Sequence, residues 1–183
     1  MEDKKMIDIK LKSRKRIALV AHDSRKKELM EWVEYNKDIL ADCELYATGT
    51  TGTMLQECFL TVEPTGEIDL PNEPELPIED VRFVYTNIIN KLHSGPLGGD
   101  QEIGAMIANE KLDVVIFFCD NLITQGHAQD IQALSRLASL YNVAYANNRT
   151  TADMIITSPL FKDPNYVRQI PACIKRYADR FDK

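Results

Sequence analysis

The chain has 183 residues, a formal net charge of -6, 44% hydrophobic and 27% charged residues. That length suits one domain able to bury its own core. The negative balance argues against nucleic acid or an anionic membrane surface as partner, and no apolar run reaches the roughly 20 residues a bilayer span needs.

In chain order, residues 1–14 are rich in Lys and carry no apolar secretory core. They read as a short, solvated basic tail. Ile17–Ala21 is a continuous apolar run, as expected for a strand buried on both faces. His22, Asp23 and Ser24 follow, with a helix carrying Leu29, Met30, Trp32 and Val33. Leu45–Ala47 reads as a second strand. It ends in Thr48-Gly49-Thr50-Thr51-Gly52, before a helix with Met54, Leu55 and Cys58. The stretch of about 60–80 holds four prolines and six acidic residues between Thr61 and Glu79. It reads as an exposed insertion, a loop or a β-hairpin arm.

Ser94-Gly95-Pro96-Leu97-Gly98-Gly99-Asp100 then leads into a helix with Ile103, Met106 and Ile107 on one face. Val114–Phe118 is the clearest strand, being β-branched and aromatic throughout. Asp120, His127 and Asp130 follow it, then a helix through Ile131, Leu134, Leu137 and Ala138. Val143–Ala146 reads as a further strand and 152–157 as a short helix. Pro171 starts a last helix with Ile174, Tyr177 and Phe181. Alternating strands and helices predict an α/β fold of three layers: a mostly parallel central sheet with helices on both faces. Ligands in such folds sit at the carboxyl ends of the strands.

The polar and glycine residues gather at that edge. Thr48–Gly52 has the makings of a phosphate cradle, with small residues, hydroxyls and a following helix N-terminus; a plain strand-to-helix turn with a threonine cap is the other reading. Lys26 could add charge, and Ser94 with Gly95 a second hydroxyl and N–H. Asp100 reads either as a helix N-cap or as a carboxylate that abstracts a proton in a glycine-lined pocket. Asp120, His127 and Asp130 have the parts for proton transfer or carbonyl polarisation. His93 receives no role. Cys43, Cys58, Cys119 and Cys173 show neither CxxC nor metal-ligand spacing. They read as small, buried apolar residues of a reducing, cytoplasmic compartment.

Ala18-Leu19-Val20-Ala21-His22-Asp23, Tyr46–Gly52, Ser94–Gln101 and Asp113–Phe118 with Asp120, His127 and Asp130 together resemble the methylglyoxal synthase family, from about Lys15 to Phe161. The resemblance implies a lyase that converts dihydroxyacetone phosphate to methylglyoxal and phosphate with no metal or organic cofactor. It matches Asp100 to the catalytic base. Asp120, His127 and Asp130 match the other acid/base and orienting positions. His22 matches a substrate contact, and Lys26, Thr48, Thr50, Thr51, Ser94 and Gly95 match the phosphate-binding positions. It also implies a homohexamer, inhibition by phosphate and the part of an allosteric glycolytic bypass. The chain departs from the family at Asn121, where Pro is usual, at Ala128-Gln129 in place of Asp-Pro, and in the insertion. The alternative is a regulatory ligand-binding domain of the same fold, as in carbamoyl phosphate synthetase. Such domains are not expected to keep Asp100, Asp120, His127 and Asp130 together.

Overall fold

The computed structural model describes residues 6–11, 14–64, 81–85, 89–122, 126 and 128–178. The chain opens with strand β1 (Met6–Lys10), followed by β2 (Arg16–Ala21), helices α1 (Lys26–Tyr35) and α2 (Lys37–Ala41), and β3 (Glu44–Thr48). Next come α3 (Gly49–Cys58), β4 (Leu60–Pro64), β5 (Val81–Tyr85), β6 (Ile89–Leu92) and α4 (Gly99–Ala108). The second half holds β7 (Val114–Phe118), α5 (Ala128–Leu140), β8 (Ala144–Ala146), α6 (Arg149–Thr157), α7 (Pro159–Lys162), β9 (Val167–Pro171) and α8 (Ala172–Ala178).

Five strands form the central sheet in the order β6-β3-β2-β7-β8. Every neighbouring pair in it is parallel. The chain therefore winds outward from β2 in one direction, then resumes on its other side, and the carboxyl edge beside β2 is the switch point of the fold. β2 and β7 are buried along their whole length, which explains their unbroken apolar runs.

Alternate residues of these strands feed two cores. Ile17, Leu19, Val114, Ile116 and Phe118 pack with Leu29, Trp32, Leu55 and Ile156 on one face. Ala18, Val20, Val115 and Phe117 pack with Ile103, Ile107, Leu134 and Ala138 on the other. Trp32 is fully buried, and its indole N–H donates to Asp153 Oδ1 at 2.7 Å, so the ring carries no orphaned donor into the core.

Three elements differ from the sequence expectations. The basic N-terminal stretch is not all tail: Met6–Lys10 pairs antiparallel with Val167–Pro171. Its isoleucines alternate with charged residues, a period-2 pattern that the lysine count obscured. β6 is a polar edge strand, with Asn90 and Lys91 exposed, and so lacks an apolar signature. Pro171 ends β9 rather than beginning the last helix, which starts at Ala172. Phe181, and most of the insertion, lie outside the described residues; β4 and β5 at its two ends pair antiparallel. Of the cysteines only Cys43 is buried. Cys58 and Cys119 are intermediate and Cys173 is exposed, contrary to the expectation of four buried thiols. Burial pushes the Cys43 thiol up to about 11. No helix among the described residues is long and apolar enough to cross a membrane.

The amino ends of β2 and β7 are joined by a buried ion pair. Asp113 Oδ2 accepts from Arg16 Nε at 3.1 Å and from the Arg16 backbone N–H at 2.9 Å, while Oδ1 accepts from Arg16 Nη2 at 2.8 Å. Asp113→Ala leaves that guanidinium buried without its carboxylate, a situation that typically costs about 3–5 kcal/mol. An unfolding free energy lowered by that amount, seen as a lower urea midpoint at unchanged slope, is the expected result, and an unchanged midpoint would show the pair to be dispensable.

Candidate active site

The carboxyl edge of the sheet holds a cavity of about 130 Å3. His22, Lys26, Thr48, Thr50, Thr51, Ser94, Gly95 and Asp100 all line it, together with Asp23, Gly49, Pro96 and Phe117. These residues come from the ends of β2, β3, β6 and β7 and from the helices that follow β2, β3 and β6. Eight of the sequence-derived site residues thus converge on one pocket.

The floor is set by β2. His22 follows its last residue and its N–H continues the ladder to Phe118 O at 3.2 Å. The imidazole is 7% exposed and meets the edge of Phe117 at 5.0 Å between centroids. Its Nδ1 accepts the Asp120 backbone N–H at 2.8 Å. In the neutral ring the proton is therefore on Nε2, which makes His22 a donor from that side.

The candidate cradle at Thr48–Gly52 is tighter than its sequence suggests. Gly49 to Gly52 form the first turn of α3, rather than a loop ahead of it. Thr48 occupies the N-cap position with no side-chain cap hydrogen bond. The simple threonine-cap reading is thus set aside, and the first-turn N–H groups of α3 point toward the pocket end of the helix. Gly49 has φ +46°, and a Cβ there would stand 2.9 Å from Ser94 Cβ, so the Thr48–Gly49 turn and the Ser94–Gly95 turn press directly on each other. Lys26 Nζ donates to Asp23 Oδ1 at 2.5 Å and to the Thr50 hydroxyl, which fixes the ammonium beside the cradle. The same contact holds the Asp23 carboxyl below its ordinary range.

Asp100 is 3% exposed. It is not the N-cap of α4, as one reading had it. Gly98, in the left-handed region at φ +110°, caps the helix, and Asp100 sits inside the first turn. The approach to α4 is held by a residue with no expected part in the site: His93 donates its backbone N–H to Glu102 Oε2 at 2.8 Å and its ring Nδ1 lies 2.6 Å from Oε1. These bonds hold the Glu102 carboxyl below its ordinary value.

The remaining sequence-derived residues fall differently. Asp120 does not line the cavity. Its Oδ2 accepts the Ser24 hydroxyl at 2.5 Å and its Oδ1 the Leu122 N–H at 3.0 Å, while its own N–H holds His22. Asp130, in the first turn of α5, shares with Asp100 a neighbouring groove of about 300 Å3 between α4 and α5. His127 lies outside the described residues. Asn121 is described and exposed, and Ala128 is the first residue of α5.

Sequence reasoning missed two groups beside the site. Asp23 lines the cavity and holds Lys26, while Ser24, one step back from it, holds Asp120. Tyr145 of β8 is hydrogen-bonded to Cys119, and burial raises the titration of both groups, with the Asp100 charge adding to it. Neither residue has a recognisable motif around it; only the pairing of β7 with β8 brings them together.

Comparison with known proteins agrees with this geometry. Residues 77–147 match the family described as the MGS-like domain. The chain is 46% identical over 156 residues to a methylglyoxal synthase of Leptospira interrogans, covering 85% of this chain and 88% of that protein. It is 43% identical over 169 residues to the methylglyoxal synthase of Yersinia enterocolitica, covering 89% and 94%. The crystal structure of methylglyoxal synthase from Elizabethkingia anophelis superimposes with a TM-score of 0.67 at 36% identity, over 92% of this chain and 91% of that one. With relatives of this similarity along most of its length, and a pocket built from the same four stretches that carried the resemblance, the chain belongs to the methylglyoxal synthase family.

Proposed function

We propose that the chain is a carbon–oxygen lyase that converts dihydroxyacetone phosphate to methylglyoxal and phosphate, with Asp100 as the base. The observation that carries this reading is the meeting of a buried carboxylate with a hydroxyl- and lysine-lined helix N-terminus in one small cavity.

The phosphoryl group sits at the α3 N-terminus. Lys26, the hydroxyls of Thr48, Thr50 and Thr51, and the Ser94–Gly95 turn grip it. Asp100 takes a proton from the hydroxymethyl carbon, and the electrons of that C–H bond pass into an enediolate. His22, donating through Nε2, helps hold the substrate oxygens, and His127 and Asp130 complete proton transfer around them. The enediolate then breaks the carbon–oxygen bond to phosphate, which leaves with that bond's electron pair. The resulting enol tautomerises to methylglyoxal. Elimination requires the departing C–O bond to stand perpendicular to the enediolate plane; in an isomerase it lies in that plane. The grip on phosphate therefore sets the outcome as well as the affinity. In this account Asp120 orients His22 and the Ser24 loop.

The family reading extends to a homohexamer inhibited by its product phosphate. The cysteines, scattered and in no disulfide, support a reducing compartment, the cytoplasm. Incubation with dihydroxyacetone phosphate should release methylglyoxal and phosphate in equal amounts. Absence of phosphate release would favour a regulatory ligand-binding domain instead, and formation of an aldose phosphate would favour an isomerase.

The cradle has its own test. Thr50→Ala combined with Thr51→Ala removes two hydroxyls from the phosphate end. Each hydrogen bond to a charged group is worth about 1.5–3 kcal/mol, so KM should rise at least about tenfold. An unchanged KM would place the phosphate elsewhere.

A further inference from the structure

A second cavity, of about 230 Å3, lies at the opposite edge of the sheet from the catalytic one. It is bounded by Lys15 and Asp113 at the amino ends of β2 and β7, by Val143 and Ala144 at the start of β8, and by Arg168 of β9. Lys15 is 4% exposed and Arg168 is 2% exposed. Both oxygens of Asp113 are taken up by Arg16. Lys15, Arg16 and Arg168 thus bring three buried cations to the edge that holds the buried Asp113, with Glu44 acting on Arg16 and Glu110 on Arg168.

Arg168 Nη1 donates to Leu112 O at 2.7 Å. Its Nε and Nη2 are buried and have no hydrogen-bond partner among the described residues. Those two N–H groups form the guanidinium edge whose parallel donors match a carboxylate. Burying such donors unpaired is costly. Desolvation accordingly lowers the Arg168 pKa, with Glu110, Tyr166 and Asp113 acting the other way and Arg16 adding to the lowering. The opposite wall is apolar, formed by Ile155, Leu160 and Phe161.

We propose that this cavity binds a small organic carboxylate with an apolar body, its oxygens on Arg168 Nε and Nη2 and its carbon frame against Ile155 and Phe161. The donor edge is shielded beneath the cavity wall, so the ligand arrives by displacing wall side chains. Leu160, 51% exposed on the four-residue helix α7, is one of the side chains of that wall. Inorganic phosphate would satisfy the fork but leave the apolar wall uncovered, which separates this site from the catalytic cradle.

The test is calorimetric titration of the full chain with benzoate while inorganic phosphate saturates the catalytic pocket. One saturable benzoate site per chain is expected. Arg168→Leu should weaken it at least about tenfold. Arg168→Lys, which keeps the charge and loses the fork, should weaken it comparably. Phosphate binding at the cradle should be unchanged in both variants. The proposal is overturned if benzoate shows no saturable binding up to about 10 mM, if saturating phosphate displaces it, or if either Arg168 variant binds it as tightly as the parent. A second phosphate site that depends on Arg168, with no benzoate binding, would also overturn it, because the ligand class would then be wrong.

Discussion

Asp100→Asn should lower kcat by about 100- to 10,000-fold while leaving the affinity for inorganic phosphate near that of the parent. The magnitude is that of losing a positioned general base. The split between turnover and binding follows from the geometry. Asp100 lines the cavity from the first turn of α4, whereas the grip on phosphate is proposed to come from α3, Lys26 and the Ser94 turn, which line it from other elements. Asparagine has the shape of aspartate, and Gly98 rather than Asp100 caps α4, so the helix should stay in place. Steady-state kinetics and a phosphate titration on the same preparation check both halves. Turnover within a few fold of the parent would remove Asp100 from the role of base.

Gly99→Ala should damage fold and activity together. A Cβ at Gly99 would stand 2.2 Å from the His93 carbonyl oxygen and 2.9 Å from Thr48 Cγ2. The first neighbour is backbone and cannot rotate away. Relief requires moving the His93–Ser94 segment or the start of α4, a loss of about 3 kcal/mol, the upper part of the usual range for overpacking. Either movement shifts Ser94 or Asp100 in the site, and a displacement near 1 Å is enough for about a 100-fold fall in rate. Gly126→Ala is the control, since Gly126 is exposed and a Cβ there meets nothing within 4 Å among the described residues. Urea midpoints and kcat for both variants decide the matter. A Gly99→Ala protein as stable and active as Gly126→Ala would contradict the close approach of the two turns.

These expectations depend on features that the sequence displayed unequally. The buried strands β2 and β7 were legible because burial on both faces requires unbroken apolar runs. β1 was hidden because a strand in a small two-stranded sheet can alternate isoleucine with lysine and aspartate. The edge strand β6 was hidden because its solvent side accepts Asn90 and Lys91. At the site, residue type and order were enough to pick out the glycine turns, the threonines and Asp100. Which glycine caps α4, and that Thr48–Gly52 is mostly helix, depended on backbone conformation. The Arg16–Asp113 pair spans 97 positions and the Arg168–Leu112 bond 56, so no local pattern could announce either. Asp120 was legible from its position after a buried strand, whereas its links to Ser24, Leu122 and His22 depend on how the turns fold together.

The proposed division of labour at the pocket would also explain why a lyase needs several phosphate contacts. A group that must leave has to be held in the orientation that lets it leave, and a single ammonium, as a point charge, fixes no angle. Lys26 is itself fixed between Asp23 and Thr50, so its charge has a direction as well as a place.

The most direct measurement uses dihydroxyacetone phosphate deuterated at the hydroxymethyl carbon, with methylglyoxal and phosphate quantified together over the time course. Proton abstraction by Asp100 followed by elimination should give the two products in equal amounts, and kcat/KM should be lower for the deuterated than for the ordinary substrate. Failure to release phosphate, or accumulation of an isomeric sugar phosphate, would contradict the account.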